Sequence, residues 1–331
     1  MSFLIQQTLI YAVPLMLGAL AGVFAERSGV INLALEGIMG FGAFVGVMFI
    51  NIMQKGSFFS KEEGIVLSVV TMAVSAFFGA VFSLLLSFAA VSLKSNQTVS
   101  GTALNMLAPA LSLFLIGILT NQSGIGMASG DASEWFMIRK SNFGFDINND
   151  YGFIMETFFF KSYPASYICV LIFILLSVIL YSTGFGLRLR ACGENPFAAG
   201  SLGINVRKMR YIGTTVSGAL AGAGGFVLAL TTANCTSAGD VAGFGFLALA
   251  VMIFGNWTPL TIVGASVLFG LTKCIAAAYS ALDINGDGRF LLYEIGLSPN
   301  FYRMLPYIIT LAVLAFTSKK SRAPKAEGIP Y

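Results

Sequence analysis

Residues 184–210 read GFGLRLRACGENPFAAGSLGINVRKMR and form the longest polar, basic interruption in the second half of an otherwise apolar chain. Asn195 is a good N-cap, and Pro196 then falls at the first helical position, where its missing N–H costs nothing. Gly200 and Gly203 end the run. The stretch predicts a short helix of small side chains, suited to docking into another protein's groove. The alternative is a basic loop that only fixes membrane topology.

The composition around this stretch is that of a membrane protein. Of the 331 residues, 56% are hydrophobic and 10% are charged, and the mean hydropathy is +0.83, whereas soluble domains carry about 25% charged residues. Apolar runs of about 20 residues recur, which is the length that a spanning helix needs. The sequence therefore predicts an all-α polytopic membrane protein, with residues 1–331 forming one transmembrane domain.

The charged, histidine and cysteine residues exclude several functions. The basic residues behind the net charge of +4 sit at helix ends, so they indicate membrane orientation and no nucleic-acid partner. There is no histidine, so histidine-based triads, histidine metal sites and histidine proton relays are excluded. The four cysteines form no C-x-x-C pair, so neither a zinc site nor a disulfide framework is indicated.

Apolar segments predict about nine crossings, and charge predicts their orientation. Basic residues share one side with the 184–210 loop and the C-terminus, which places that side in the cytoplasm. The polar stretch 121–162 and the acidic loop 283–300 are then extracytoplasmic. If 244–257 dips in and returns, the count changes. The predicted spans are 6–25, 33–53, 65–92, 101–120, 163–183, 211–231, 244–257, 260–281 and 303–318.

One short repeat suggests internal symmetry. Residues 18–22 and 218–222 both read Gly-Ala-Leu-Ala-Gly, and in the predicted topology they run in opposite directions. Inverted repeats of this kind build a site near the membrane midplane. Chance is the alternative, since alanine and glycine are common here. Small residues at these spacings also allow close helix packing in lipid.

Three polar residues are predicted to lie inside apolar spans, where a charge is costly and is usually partnered. Glu36 lies in GVINLALEGIMGFGAF (29–44), whose Gly29, Asn32 and Gly37 predict a broken helix lining a cavity. A fixed bond between helices is the alternative for Glu36. Asn105 can bond a nucleobase or sugar, or join two helices. Lys273 is expected to snorkel outward rather than bind a ligand.

A calcium-like loop lies at residues 283–294, DINGDGRFLLYE, which fit the EF-hand spacing D-x-[DN]-x-[DN]-G-x5-E. Gly288 falls where the sharp turn is needed, but Leu291 offers no side-chain oxygen at position nine. A polar turn between spans is the alternative interpretation. The candidate calcium ligands are Asp283, Asn285, Asp287, the carbonyl of Arg289, and Glu294.

Several stretches together resemble the permease subunits of ABC importers in the ribose/branched-chain amino acid superfamily, and most closely its nucleoside branch. The resemblance covers most of the chain in the right order. The acidic loop 283–300 and the expanded stretch 121–162 depart from the family pattern. The stretches that carry the resemblance are ERSGVINLALEGIMGFGAF (26–44), SGTALNMLAPAL (100–111), GENPFAAGSLGI (193–204), SGALAGAGG (217–225), GFLALAVMIFGNWTPL (245–260) and MLPYIITLAVLAF (304–316).

The resemblance implies that 193–204 holds the coupling helix that receives an ATPase subunit. It also implies that three residues of the central helices, Asn32, Glu36 and Asn105, line the substrate pathway. Carried over residue by residue, the ATPase-facing motif is Gly193, Asn195, Pro196, Ala198, Ala199, Gly203 and Ile204.

The function expected from this resemblance is import of nucleosides, in particular purine nucleosides, by alternating access. No G-x-x-x-x-G-K-[ST] loop is present, so ATP would bind to a separate ATPase chain and this subunit would not be an enzyme. A second permease chain, an extracytoplasmic binding lipoprotein and membrane lipid are the other expected partners. The expected location is the bacterial inner membrane, crossed several times, with the C-terminus in the cytoplasm.

Other functions stay open at this point. A permease for simple sugars or branched-chain amino acids has the same architecture. A secondary transporter driven by an ion gradient is a rival of another class, although only Glu36 and Lys273 are charged and deep in the predicted bilayer. An export permease or a non-transporting scaffold is a third reading.

The calcium prediction is tested by thermal unfolding. We expect calcium to raise the melting temperature of the wild-type protein but not that of Asp287→Ala, because the variant lacks the ligand at position five. Scanning fluorimetry in calcium and in chelator measures the difference. An equal response of the two proteins would remove the metal site.

Overall fold

The computed structural model describes residues 2–138, 152, 155–160, 162–279, 298–317 and 322–331. Over these residues the chain is helical, and its sole extended pairing is an isolated antiparallel bridge between Ile125 and Ser237. Seven of the described helices are long and apolar enough to cross a membrane. The predicted all-α polytopic membrane fold is confirmed. The predicted calcium ligands and residues 139–151 of the stretch 121–162 lie outside the described residues.

The helices follow the apolar segments of the sequence closely. A short π-helical segment extends α3 to Ser92. The helices are α1 Ser2–Arg27, α2 Leu35–Lys55, α3 Gly64–Ser87, α4 Gln97–Thr120, α5 Ala132–Phe136, α6 Pro164–Ser182, α7 Gly184–Glu194, α8 Pro196–Ser201, α9 Val206–Thr232, α10 Phe244–Phe254, α11 Pro259–Ala278 and α12 Pro299–Thr317.

The count of nine crossings is not confirmed. The seven spanning helices are α1, α2, α3 with its extension, α4, α6, α9 and α11. Helix α10 has 11 residues, and at 1.5 Å per residue it covers ~16 Å, about half of a ~30 Å hydrocarbon core. Helix α12 matches the last predicted span but is not one of the seven.

Three helices form the centre of the molecule. We compare the buried share of the most apolar 18-residue segment of each spanning helix. This share is 83% in α1, 72% in α2 and 78% in α9, but only 22% in α4 and 28% in α6. Helix α9 packs against α1, α2 and α3. The outer helices α4 and α6 therefore leave most of their apolar surface for lipid or a partner chain.

Glycine allows the central helices to approach each other closely. A Cβ on Gly222 of α9 would collide with the Ser75 carbonyl of α3 and would lie 3.0 Å from the Gly79 Cα. A Cβ on Gly42 of α2 would collide with the backbone of Gly222. The second Gly-Ala-Leu-Ala-Gly copy ends at this crossing, so the predicted small-residue packing is confirmed there. The inverted repeat itself stays a prediction.

Substitution of Gly222 should therefore destabilise the fold. We expect Gly222→Ala to lower the free energy of unfolding by about 1–3 kcal/mol through overpacking. Gly117→Ala is the matched control, because a Cβ there has no atom within 4 Å and alanine favours a helix. Thermal unfolding in detergent should show a loss for Gly222→Ala alone; equal melting of the two variants would contradict the packing argument.

Candidate functional site

The chain is not helical between α1 and α2, where the sequence predicted part of a broken helix, whereas Gly37 of that prediction lies inside the continuous helix α2. Residues 28–34 are not helical, and Gly29 has φ +94°, a conformation that favours glycine. Asn105 of α4 bridges the interruption, because its Nδ2 donates to the Leu33 carbonyl (2.7 Å) and its Oδ1 accepts from the Gly37 N–H (2.8 Å). Asn105 thus satisfies backbone groups that the broken helix leaves without partners. We call 28–34 the helix break.

Glu36 joins the first turn of α2 to the start of α10. Its carboxylate accepts hydrogen bonds from the N–H groups of Gly243 (2.7 Å), Gly245 (2.6 Å) and Phe246 (3.3 Å). A carboxylate is favoured there, because the first N–H groups of a helix lack partners and the helix dipole is positive at that end. The structure therefore gives Glu36 the interhelical bond that the sequence left open as one of its two roles.

Asn32 lies within the helix break and is fully buried. Its Nδ2 donates to Ser217 Oγ of α9 (2.8 Å), while its Oδ1 has no hydrogen-bond partner in the described part of the chain. Gln97 is a neighbour that the sequence gave no signal for: its Oε1 accepts from the Ile31 N–H (2.7 Å), and its buried Nε2 lacks a partner among the described residues. The structure thus brings all three predicted pathway residues to the break.

The 184–210 loop folds as two short helices, α7 and α8. Asn195 Oδ1 accepts from the Ala198 N–H (3.0 Å), and Pro196 stands in the first turn of α8. Asn205 caps the next helix, α9, through the Lys208 N–H (3.0 Å). The N-cap and the first-turn proline that the sequence predicted are both present.

The predicted ATPase-facing motif divides into exposed and buried residues. Asn195, Ala198 and Gly203 are exposed, Ile204 is half-buried, and Gly193, Pro196 and Ala199 are buried. Within residues 193–204 the two largest exposed side chains are not part of the predicted motif. They are Phe197, which is 69% exposed, and Leu202, which is 82% exposed. We call Phe197, Ala198 and Leu202 the apolar knob. Two large apolar residues inside a basic loop were the sequence signal for it.

The C-terminal residues 322–331 return to the face that carries this loop. The Ala326 N–H donates to the Gly193 carbonyl of α7 (2.9 Å), and the Gly328 N–H donates to the Gly29 carbonyl of the helix break (3.2 Å). The tail therefore joins the 184–210 loop to the break. Nothing in the sequence signalled this contact, because it depends on backbone groups far apart in the chain.

Two side chains fix the end of this tail. Arg210, 1% exposed, donates from Nη1 to the Ile329 carbonyl (2.8 Å). The Tyr331 ring packs against Phe197 of the apolar knob, with centroids 5.4 Å apart. Residues 329–331 thus form one surface with α8.

A carboxylate of the tail lies in a partly desolvated place beside the end of α1. Glu26 is buried there and accepts a hydrogen bond from Trp257 Nε1 (2.6 Å). Glu327 lies within electrostatic range of Glu26. Burial raises the pKa of Glu327 to about 7, and the positive charge of Arg27 opposes this rise. Docking of the tail is therefore coupled to proton uptake.

Comparison with known proteins identifies the architecture. Residues 4–314 match the family described as branched-chain amino acid transport system / permease component. The guanosine ABC transporter permease protein NupQ of Bacillus subtilis is 37% identical over 334 residues, which cover 100% of this chain and 97% of that protein. The nucleoside ABC transporter permease protein NupC of Lactococcus lactis is 37% identical over 331 residues, with the same coverage. No solved structure matches the chain.

The raised pKa of Glu327 predicts that the docked tail loosens with rising pH. The docked state holds the proton up to about pH 7, whereas a free glutamate loses it at about 4.3, so docking weakens as pH rises between these values. Hydrogen exchange of the 326–329 amides should be faster at pH 8 than at pH 5.5, after correction for intrinsic rates. Glu327→Gln should abolish this difference; a wild-type pH response in that variant would refute the assignment.

Proposed function

The chain belongs to the family of branched-chain amino acid transport system / permease components, and on that basis we propose that it is the membrane permease subunit of an ATP-driven importer of nucleosides. The observation that carries this proposal is the 37% identity to a guanosine permease and to a nucleoside permease over the whole of this chain. Purine nucleosides are the proposed substrates, because one relative is named for guanosine. The membrane is the bacterial inner membrane, with the C-terminus and the 184–210 loop in the cytoplasm.

The apolar knob is the proposed ATPase contact. Phe197 and Leu202 are exposed on a basic loop, and large apolar side chains that are desolvated at the centre of an interface contribute most of its affinity. Asn195, Pro196 and the buried Ala199 hold the knob in place, and Gly193 seats it, since a Cβ on Gly193 would collide with the Arg27 carbonyl. ATP binds and is hydrolysed on the partner ATPase.

A mechanical route from knob to substrate pathway follows from the contacts. The tail bonds the Gly193 carbonyl at one end and the Gly29 carbonyl at the other. The helix break then leads to Glu36, which holds the start of α10. Closure of the ATPase subunits would move the knob, and this chain of bonds would transmit the motion to the two broken helices.

Asn32, Glu36 and Asn105 have a proposed role in substrate passage as the fixed points of this movement. Each bonds across helices rather than within one. Broken helices near the midplane, held by such bonds, are where transporters place substrate sites. A second permease chain completes the pathway, and an extracytoplasmic lipoprotein delivers substrate to the outer surface that includes the 121–162 stretch.

The proposal is tested by uptake of labelled guanosine into right-side-out vesicles that contain this chain and its partners. Uptake that requires internal ATP supports it. Uptake driven by a sodium or proton gradient without ATP would establish the secondary transporter instead. Uptake of a simple sugar or leucine in place of guanosine would assign the chain to a different substrate class.

The apolar knob has its own test. We expect Phe197→Glu and Leu202→Glu to reduce co-purification of the ATPase chain at least ~10-fold, equivalent to ~1.4 kcal/mol of binding, and to abolish ATP-dependent uptake. Phe58→Glu is the matched control, because Phe58 is also 69% exposed but lies between α2 and α3 on the opposite face. Wild-type ATPase recovery in both knob variants would refute the coupling role.

A further inference from the structure

Two neighbouring cavities lie on the face opposite the 184–210 loop. The first, 600 Å³, lies between the 124–126 segment, the end of α9 and the 236–242 loop. The second, 430 Å³, lies between α1, α11 and α12. Thr232 and Phe244 line both cavities, so the two are neighbours; we call the pair the vestibule and each cavity a chamber. Each volume falls within the ~300–1,000 Å³ typical of small-molecule sites.

The first chamber carries a few polar side chains on a wall that is otherwise mostly apolar. Its wall includes Thr232, Thr236, Ser237 and Asp240. Asp240 is exposed, and its carboxylate has no hydrogen bond or ion pair with any described residue. The loop that carries it is braced, because Ile125 and Ser237 exchange two backbone hydrogen bonds (2.9 and 2.8 Å). The chamber therefore presents the carboxylate of Asp240, carried on a braced loop, to hydrogen-bond donors of a ligand.

The second chamber is aromatic. Tyr11 and Phe244 stack with ring centroids 6.1 Å apart and an interplanar angle of 23°, and Tyr307 completes the wall. Lys273 Nζ lies 4.7 Å from the Phe244 ring centre and 5.4 Å from that of Tyr307. The ammonium therefore faces aromatic rings inside the vestibule, and the expectation that Lys273 snorkels outward stays a prediction.

We propose that this vestibule is a nucleoside site, with the base in the aromatic chamber and the ribose hydroxyls bonded to Asp240. A nucleoside has the same two parts as the vestibule, a flat aromatic ring and a sugar rich in hydroxyl donors. Aromatic side chains stack on any nucleobase, because every base has a π-face. An ionised carboxylate forms strong hydrogen bonds with hydroxyl donors. Lys273 supplies a donor for the ring nitrogens or carbonyl oxygen of a purine.

The position of Phe244 connects this site to the helix break. Phe244 is the first residue of α10, and Glu36 bonds the N–H groups on both sides of it, at Gly243 and Gly245. A base that packs against Phe244 therefore contacts the helix end that Glu36 holds. Substrate occupancy and the arrangement of the break are in this way mechanically linked.

The inference rests on the proposed function but names residues that the proposal does not require. The test is uptake kinetics in ATP-loaded vesicles that contain the complete transporter, with guanosine and 2′,3′-dideoxyguanosine as substrates. The wild type should prefer guanosine, and Asp240→Asn should raise its KM on the order of tenfold while leaving the dideoxy analogue little changed. Glu62→Gln, an exposed carboxylate near the start of α3 that does not line the vestibule, is the matched control.

A second variant separates the two chambers. Tyr307→Ala should raise KM for both nucleosides by a similar factor, because stacking does not depend on the sugar hydroxyls. Recovery of the ATPase chain with each variant confirms that the complex is assembled. If the wild type imports guanosine and Asp240→Asn keeps the same preference over the dideoxy analogue, the site is refuted while the function stands. If the wild type imports no nucleoside, the proposed function itself fails; a leucine or sugar whose KM alone responds to Asp240→Asn would reassign the vestibule.

Discussion

Backbone polar groups inside a bilayer must find partners within the protein, and this constraint governs the centre of the molecule. The chain interrupts its helices at 28–34 and begins another at Phe244, so several N–H and C=O groups lose their helical partners. Asn105 satisfies one set, and Glu36 satisfies the other. Without these two side chains the broken helices would expose unsatisfied amides to an apolar medium, at a cost of several kcal/mol for each group.

The same constraint applies to the contacts that join the break to the 184–210 loop. The Gly29 carbonyl lies in the helix break just after α1, and the Gly193 carbonyl lies in the last turn of α7. The N–H groups of Gly328 and Ala326 in the tail donate hydrogen bonds to them. A hydrogen bond of this kind contributes only about 0.5–1.5 kcal/mol net, which is small enough to rearrange during a transport cycle. The buried Arg210 beside the break holds the tail at Ile329, and its Nε and Nη2 atoms have no partner within the described residues. The break is therefore held in part by individual hydrogen bonds, although its residues Ser28, Val30 and Asn32 are fully buried.

Local signals in the sequence predicted the local features of this structure. The apolar runs placed the helices within a few residues, and the Asn195-Pro196 pair placed the start of α8. The bonding partners of Glu36 could not be predicted, because Gly243 and Gly245 lie more than 200 residues away and contribute only backbone N–H groups. The tail contacts and the Asp240 chamber were missed for the same reason. Neither the tail contacts nor the chamber produces a recognisable pattern of side chains along the sequence.

The length of α10 explains why a vestibule exists at all. Its 11 residues fill ~16 Å of a ~30 Å core. Its C-terminal end lies on the face of the molecule that carries the 184–210 loop and the C-terminal tail. There Trp257 donates a hydrogen bond to Glu26, and the Asn256 side chain accepts one from the Arg322 N–H. Helix α10 therefore occupies the half of the membrane nearer the 184–210 loop. The segment 244–257 does not dip in and return to the face from which it entered.

The other half of that crossing is made by the 233–243 loop, which borders the cavity. A full-length helix in this place would fill the vestibule and would leave Glu36 without a helix end to bond. The half-length helix, the carboxylate at its start and the chamber beyond it are consequently one structural feature. A mechanism that moves α10 along its axis would change the depth of the chamber and the Glu36 bonds together.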